Sequence, residues 1–261
     1  MNKNIKIRVS LLLPVALLLL SACGPKETGT TEATKPAPLP QADASVQIEN
    51  ATAVRRDLLL DPAKTEDSDS LLVSRSLYEG LVTLDADGTV QPGLARSWVI
   101  SDDELDYIFE LRPNNVFSDG SPITIEVVEQ NFNRWFDPQN PLHGDGNYPT
   151  WLKLFLAFRG ERDANKRPVS QLDGVQIVDK NTFIVHLNRP EPNLLNYLAE
   201  PAFSILSPTA LENPVYGSRE SSIISSGKYV ITAWTDEGMT LSPNPQYWEP
   251  VEGGEQKFTW K

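Results

Sequence analysis

The 261-residue sequence predicts a mixed α/β domain over residues 46–261. Two kinds of periodicity point to it. Tyr107, Phe109 and Leu111 alternate with Ile108, Glu110 and Arg112, and Phe183, Val185 and Leu187 repeat the pattern, as half-buried strands require. Between them Val128, Phe132, Trp135 and Phe136 fall at i, i+4, i+7 and i+8, one apolar face of a helix. Strand and helix signals alternate irregularly and no internal repeat is visible, which argues against a bundle or a sandwich. The length suffices for one large domain or two small ones.

The elements follow in order. Residues 46–54 alternate weakly and read as the first strand. Asp67-Ser68-Asp69-Ser70 supplies N-cap chemistry for a helix running to about Glu79, with Gly80 expected as the left-handed residue that ends it. Leu81 to Leu84 is a strand closed by the turn Asp85-Ala86-Asp87-Gly88. Thr124 caps the amphipathic helix and Pro138 stops it. Tyr229, Ile231 and Ala233 mark a last strand.

The start of the chain has a different character. Lys3, Lys6 and Arg8 precede an apolar run from Leu11 to Leu20, too short to span a bilayer and suited to a secretory signal over residues 1–22. Leu20-Ser21-Ala22-Cys23 resembles the bacterial lipoprotein signal, so Cys23 is expected to be acylated and to hold the protein on a membrane. Cys23 is the only cysteine, and lipidation removes an otherwise reactive thiol from an oxidising compartment. Residues 23–45 carry Gly, Pro, Thr, Lys and Glu with almost no apolar side chains, a composition expected to form a disordered tether. The expected location is extracytoplasmic, anchored to the membrane.

Charge excludes some functions. The formal net charge is −12. Losing residues 1–22 removes three cations and no acids, making it more negative still, which argues against nucleic acid and against anionic lipid as surface partners. Catalysis finds little support. His143 and His186 lack metal-ligand spacing, and no nucleophile elbow, phosphate-cradling glycine loop or zinc-type cysteine set occurs. Asp102-Asp103-Glu104 reads as a solvated turn. No catalytic residue, metal or cofactor is expected. Among the aromatics, Trp98, Trp135, Trp234 and Trp248 sit in phase with core faces. Trp151, beside Tyr148 in a segment rich in Pro and Gly, is the candidate for a cleft wall.

A series of short signatures runs in order through the body of the chain. Leu60-Asp61-Pro62 is followed by Ser76-Leu77-Tyr78-Glu79-Gly80-Leu81, Pro92-Gly93-Leu94-Ala95-Arg96-Ser97-Trp98, Phe109-Glu110-Leu111-Arg112 and Phe117-Ser118-Asp119-Gly120-Ser121-Pro122. Ser226-Gly227-Lys228-Tyr229 and Asn244-Pro245-Gln246-Tyr247-Trp248 close the series. Together these resemble the extracytoplasmic solute-binding proteins of peptide-type ABC importers.

The resemblance implies the mixed-sheet first lobe of a type II periplasmic-binding-protein fold with an accessory subdomain, and a missing second lobe. It implies an oligopeptide ligand and ABC permease subunits as partners. In that family the loop after Leu-Asp-Pro contacts ligand, which by position nominates Glu66 and Ser68; a helix-capping role for the same cluster stays open. Tyr148, after Asp137-Pro138, is nominated in the same way. Lys228 departs from the proline of the family's Gly-Pro-Tyr, and the acidic residue that holds a peptide's amino group lies in the second lobe. A nickel- or haem-type solute, a single-lobe lipoprotein without transport and, distantly, a hydrolase are the alternatives. A single lobe is expected to bind peptides weakly and to leave apolar surface open around Trp151 and Tyr148.

Overall fold

A computed structural model describes residues 51–261; the expected signal, the tether, Cys23 and the start of the first strand lie outside the described residues. Two four-stranded sheets, each with its own core, and a small hairpin make up the fold.

In the first sheet β1 (Thr52–Val54) pairs in parallel with β10 (Gln256–Trp260). Strands β9 (Gly238–Pro243) and β8 (Tyr229–Trp234) extend it antiparallel, giving the order β1-β10-β9-β8. The helix α1 (Ser68–Leu77) covers this sheet, burying Val73 and Leu77 with Val54, Leu60, Leu206, Leu241 and Phe258. Asp67 caps α1 by accepting from the Ser70 backbone N–H at 2.8 Å.

Chain reversal after α1 is not the expected glycine cap. Tyr78 turns extended at φ −127° and is itself buried, its hydroxyl donating to the Leu60 carbonyl at 3.0 Å. Gly80 is needed for close approach instead, since a Cβ there would stand 3.0 Å from the Leu198 carbonyl oxygen.

The second sheet is antiparallel throughout, in the order β4 (Ala95–Ile100), β5 (Asp106–Leu111), β7 (Thr182–Leu187), β6 (Leu172–Ile177). Both central strands alternate as the period-two pattern predicts, burying Tyr107, Phe109 and Leu111 on one and Phe183, Val185 and Leu187 on the other. Against them lies α2 (Ile125–Phe136), with Phe132 and Phe183 ring centroids 5.1 Å apart. The hairpin of β2 (Val82–Leu84) and β3 (Val90–Pro92) turns at Asp85–Gly88, as the sequence suggests. No helix among the described residues is long and apolar enough to cross a membrane.

Tyr148 and Trp151, expected at an open cleft wall, are instead core residues, and the exposed apolar side chains beside them are Leu152 and Leu156. The segment 149–155 is a helix, α3, and both rings are 1% exposed. Trp151 stacks on Phe155 at 4.3 Å and 19°, and its indole N–H donates to the Ala157 carbonyl at 3.0 Å. Pro and Gly content suggested an irregular surface loop; the packing of Trp151 on the rings of Phe136, Phe155 and Phe203 outweighed it.

Candidate functional site

The loop after β1 is anchored by charge. Asp61, at the start of a helical turn over Pro62–Lys64, forms a two-point ion pair with Arg134 from the last turn of α2. Their side chains are only 5% and 6% exposed. The guanidinium also lies 5.4 Å from the centre of the Tyr148 ring, and Lys64 approaches the same ring at 5.5 Å while pairing with Asp145 at 2.8 Å. Tyr148 donates to the His143 carbonyl at 2.9 Å, and the His143 ring Nδ1 lies 2.8 Å from the Arg134 carbonyl. Burial pushes the Tyr148 hydroxyl up to about 12, so it stays protonated and serves as a donor.

These contacts hold the segment that carries Glu66 and Ser68, and both residues are exposed. The capping role falls to Asp67, with Thr65 Oγ1 accepting from the Asp67 N–H at 3.0 Å, so Glu66 is not needed as a cap. Alongside opens a cleft of about 400 Å³ bounded by Asp61, Lys64, Asp145, Leu211 and Asn213. The structure therefore places Tyr148 beneath the loop through Lys64, leaves Glu66 and Ser68 free at its surface, and puts Trp151 deeper in the core.

A second constellation escaped the sequence reading. Glu79, 8% exposed, accepts from the Tyr247 hydroxyl at 2.5 Å and from the Trp248 indole N–H at 3.0 Å. Over the face of Trp248 the Arg112 guanidinium lies 3.6 Å from the ring centre, and its Nε donates to the Gly93 carbonyl at 2.8 Å. The Glu79 N–H donates to Ser226 Oγ at 3.1 Å, and Gly227 N–H to the Leu77 carbonyl at 2.9 Å. Here only glycine fits, because a Cβ on Gly227 would stand 2.9 Å from the Tyr78 nitrogen. Asn244 then ties Gly227 and Lys228 through their carbonyls, so Lys228 sits in a fixed turn.

Five of the short signatures thus converge on one carboxylate. Burial drives Glu79 up to about 7, partly offset by its Tyr247 and Trp248 donors and by Lys228. The signal available in the sequence was an acid set inside the otherwise core-forming run Leu77-Tyr78-Glu79-Gly80-Leu81.

His186 belongs to neither constellation. Its Nδ1 faces Asp106 at 2.7 Å across the β5–β7 pair, a cross-strand contact. No group of three or more His, Cys, Asp or Glu side chains among the described residues is placed to hold a metal.

The family profile for bacterial extracellular solute-binding proteins, family 5 Middle, matches residues 89–259. The periplasmic oligopeptide-binding protein OppA of Salmonella typhimurium is 31% identical over 227 residues, covering 85% of this chain and 40% of OppA. The periplasmic murein peptide-binding protein MppA of Escherichia coli is 30% identical over 209 residues, 77% of this chain and 37% of that protein. Among solved structures, HbpA2 from Haemophilus parasuis superposes with a TM-score of 0.67 at 27% identity, covering 81% of this chain and 42% of HbpA2. DppA from Helicobacter pylori, in complex with the peptide STSA, gives 0.65 at 23% identity, covering 81% and 41%. These are type II periplasmic binding proteins, and this chain spans about 40% of the length of the curated relatives it matches.

Proposed function

The chain belongs to the bacterial extracellular solute-binding proteins of family 5, and from that membership we propose that it forms one wall of a receptor that captures short peptides and passes them to an ABC importer. One observation carries the reading at the level of residues. The segment from Ala63 to Ser68 is anchored from below by the buried Asp61–Arg134 pair while Glu66 and Ser68 stay exposed. An anchored, outward-facing loop can offer backbone and polar groups to the N–H and C=O groups that every peptide carries. Relatives named for oligopeptides, murein peptides and glutathione all take peptide-like solutes, which supports the class and leaves the length open. Binding rather than catalysis is the activity proposed, because the relatives it resembles are solute-binding proteins.

One wall binds weakly. Each net hydrogen bond contributes about 1 kcal/mol, so four to six bonds left to an opposite wall correspond to roughly a thousandfold or more in affinity. The test is an NMR titration of the purified chain with mixed tri- to pentapeptides at millimolar concentration. The expected result is movement of the Glu66 and Ser68 amide signals, with free amino acids inert. Submicromolar affinity, or no movement at these two residues, would overturn the reading.

Anchoring is proposed through an acyl group on Cys23, outside the described residues, with the protein held on the outer face of a membrane. Replacing Cys23 by Ser should release the protein to the soluble fraction of cells. Retention equal to the parent sinks the anchor.

A further inference from the structure

A cavity of about 310 Å³ opens between the end of α2, the start of β6 and a short hairpin in which Arg162 stands opposite Pro168. It shares no residue with the loop that carries Glu66 and Ser68. Its walls are held by their own bonds. The Asp163 N–H donates to the Arg167 carbonyl at 2.9 Å and the Val169 N–H to the Glu161 carbonyl at 3.1 Å, closing the hairpin. Asn188, just after β7, donates through Nδ2 to the Ser170 carbonyl at 3.1 Å and to the Leu172 carbonyl at 2.9 Å. Phe136 and Leu172, both buried, form the apolar side.

Three polar groups on these walls are left over by the fold. Ser170 is 3% exposed, and its hydroxyl has no hydrogen-bond partner among the described residues. Such a buried group costs free energy, and proteins keep few of them. Asp173 is the extra residue of a bulge on the edge strand β6: Leu172 stands opposite Leu187 and Gly174 opposite His186, so Asp173 has no partner across the pair. Bulges of this kind re-aim a side chain. Arg162 donates one N–H to the Lys166 carbonyl at 2.9 Å and keeps the rest of its fork. The ion pairs of this region, Arg159 with Asp137 and Arg167 with Asp163, leave out both Arg162 and Asp173. Glu161 also lines the cavity, with one oxygen accepting from the Phe158 N–H at 2.8 Å.

We propose that this cavity is a ligand site for a single free α-amino acid, with Arg162 and the Ser170 hydroxyl donating to its carboxylate and Asp173 accepting from its α-ammonium group. The mixture of charges selects the class. A simple anion would meet Asp173 and Glu161, and a simple cation would meet Arg159 and Arg162, whereas a zwitterion satisfies both signs with charge-assisted bonds. The volume lies at the lower end of the range of about 300–1,000 Å³ for small-molecule pockets, which suits one residue rather than a chain. Phe136 and Leu172 favour an apolar side chain. The site is independent of the peptide-facing loop, and neither reading needs the other.

The test titrates the purified chain with L-leucine at millimolar concentration and follows backbone amide signals by NMR. Those of Ser170 and Asp173 should move and saturate, while those of Glu66 and Ser68 stay still. Isocaproate, which lacks the ammonium group, and isoamylamine, which lacks the carboxylate, should each bind at least about tenfold more weakly. Asp173→Asn should bring leucine down to the level of isocaproate, and Arg162→Gln to that of isoamylamine. Both side chains are exposed, so the fold withstands either change. Ser170→Ala should weaken binding about tenfold without lowering the urea midpoint, a split that a structural hydroxyl would not give. No saturable movement at Ser170 and Asp173, equal binding of the two single-charge analogues, or tighter binding of leucyl-leucine would each overturn the proposal.

Discussion

Asp61 and Arg134 together place two charges where about 5% of the side-chain surface meets water. Burial works against the arginine's charge, and the facing carboxylate more than offsets it, so the guanidinium stays above its ordinary value. Such a pair is worth little net when compared with an apolar replacement, yet its halves cannot be removed singly. Asp61→Ala or Arg134→Ala alone should cost about 3–5 kcal/mol, because each leaves an uncompensated buried charge. The double replacement by Leu and Met should cost far less than the two single costs combined. Urea unfolding midpoints of the three variants decide this, and strict additivity would contradict it. Only half of the pair was legible in the sequence. Asp61 stands in the first signature, but Arg134 sits within the apolar helix face beside Trp135 and gives no local sign of its partner 73 residues away. Glu66 and Ser68 were legible as an exposed loop, whereas Tyr148 and Trp151 were not legible as core. Two of the rings that bury Trp151, Phe136 and Phe203, come from elsewhere in the chain, and Tyr148 is covered by His143 and the Arg134 guanidinium, contacts that no local pattern announces.

The elements themselves follow from local chemistry. The two longest helices among the described residues carry side-chain caps of unequal quality: Asp67 accepts at 2.8 Å and also pairs with Arg55, while Thr124 accepts from the Val127 N–H at 3.4 Å. N-cap replacements cost about 0.5–2 kcal/mol, and the longer contact belongs at the low end. Asp67→Ala should therefore destabilise by about 1–2 kcal/mol and Thr124→Ala by about 0.5–1, measured by thermal or urea unfolding. A larger loss at Thr124 would refute this ranking. Period-two alternation in β5 and β7 and the 3.6-residue face of α2 gave those elements their positions, because in each case one face must be buried. Sheet order was another matter. Strand β1 pairs with β10, with Thr52 opposite Phe258, and no feature of either three- to five-residue segment names the other. The ending of α1 shows the same limit. Gly80 looked like a cap because helices commonly end on glycine, but burial of Tyr78 ends this one two residues earlier.

At the scale of the whole molecule, an acidic chain of net charge −12 carries, among its described residues, one carboxyl group whose proton is held more tightly in the folded state than in the unfolded. Glu79 stands at about 7 when folded against 4.5 when exposed, so between these values the folded protein keeps a proton that the unfolded chain has lost. Stability from this group is complete below pH 4.5, falls as pH rises to about 7, and is flat above it. At 1.36 kcal/mol per unit the loss is about 3 kcal/mol. The exposed acids act with the opposite sign and in another window. Hydrogen bonding holds Asp85 below its ordinary value, and the Lys261 contact holds Asp69 below it, so their contributions vanish only as pH falls under about 4. The windows do not overlap, which makes a difference measurement clean. Glutamine at position 79 keeps the acceptor oxygen and mimics the protonated acid. Glu79→Gln should match the parent at pH 4.5 and exceed it by about 3 kcal/mol at pH 8, read from urea unfolding at a series of pH values. A variant less stable than the parent at pH 8 would mean that the Tyr247 and Trp248 bonds to the ionised carboxylate outweigh its desolvation, and the sign assigned to Glu79 would be wrong.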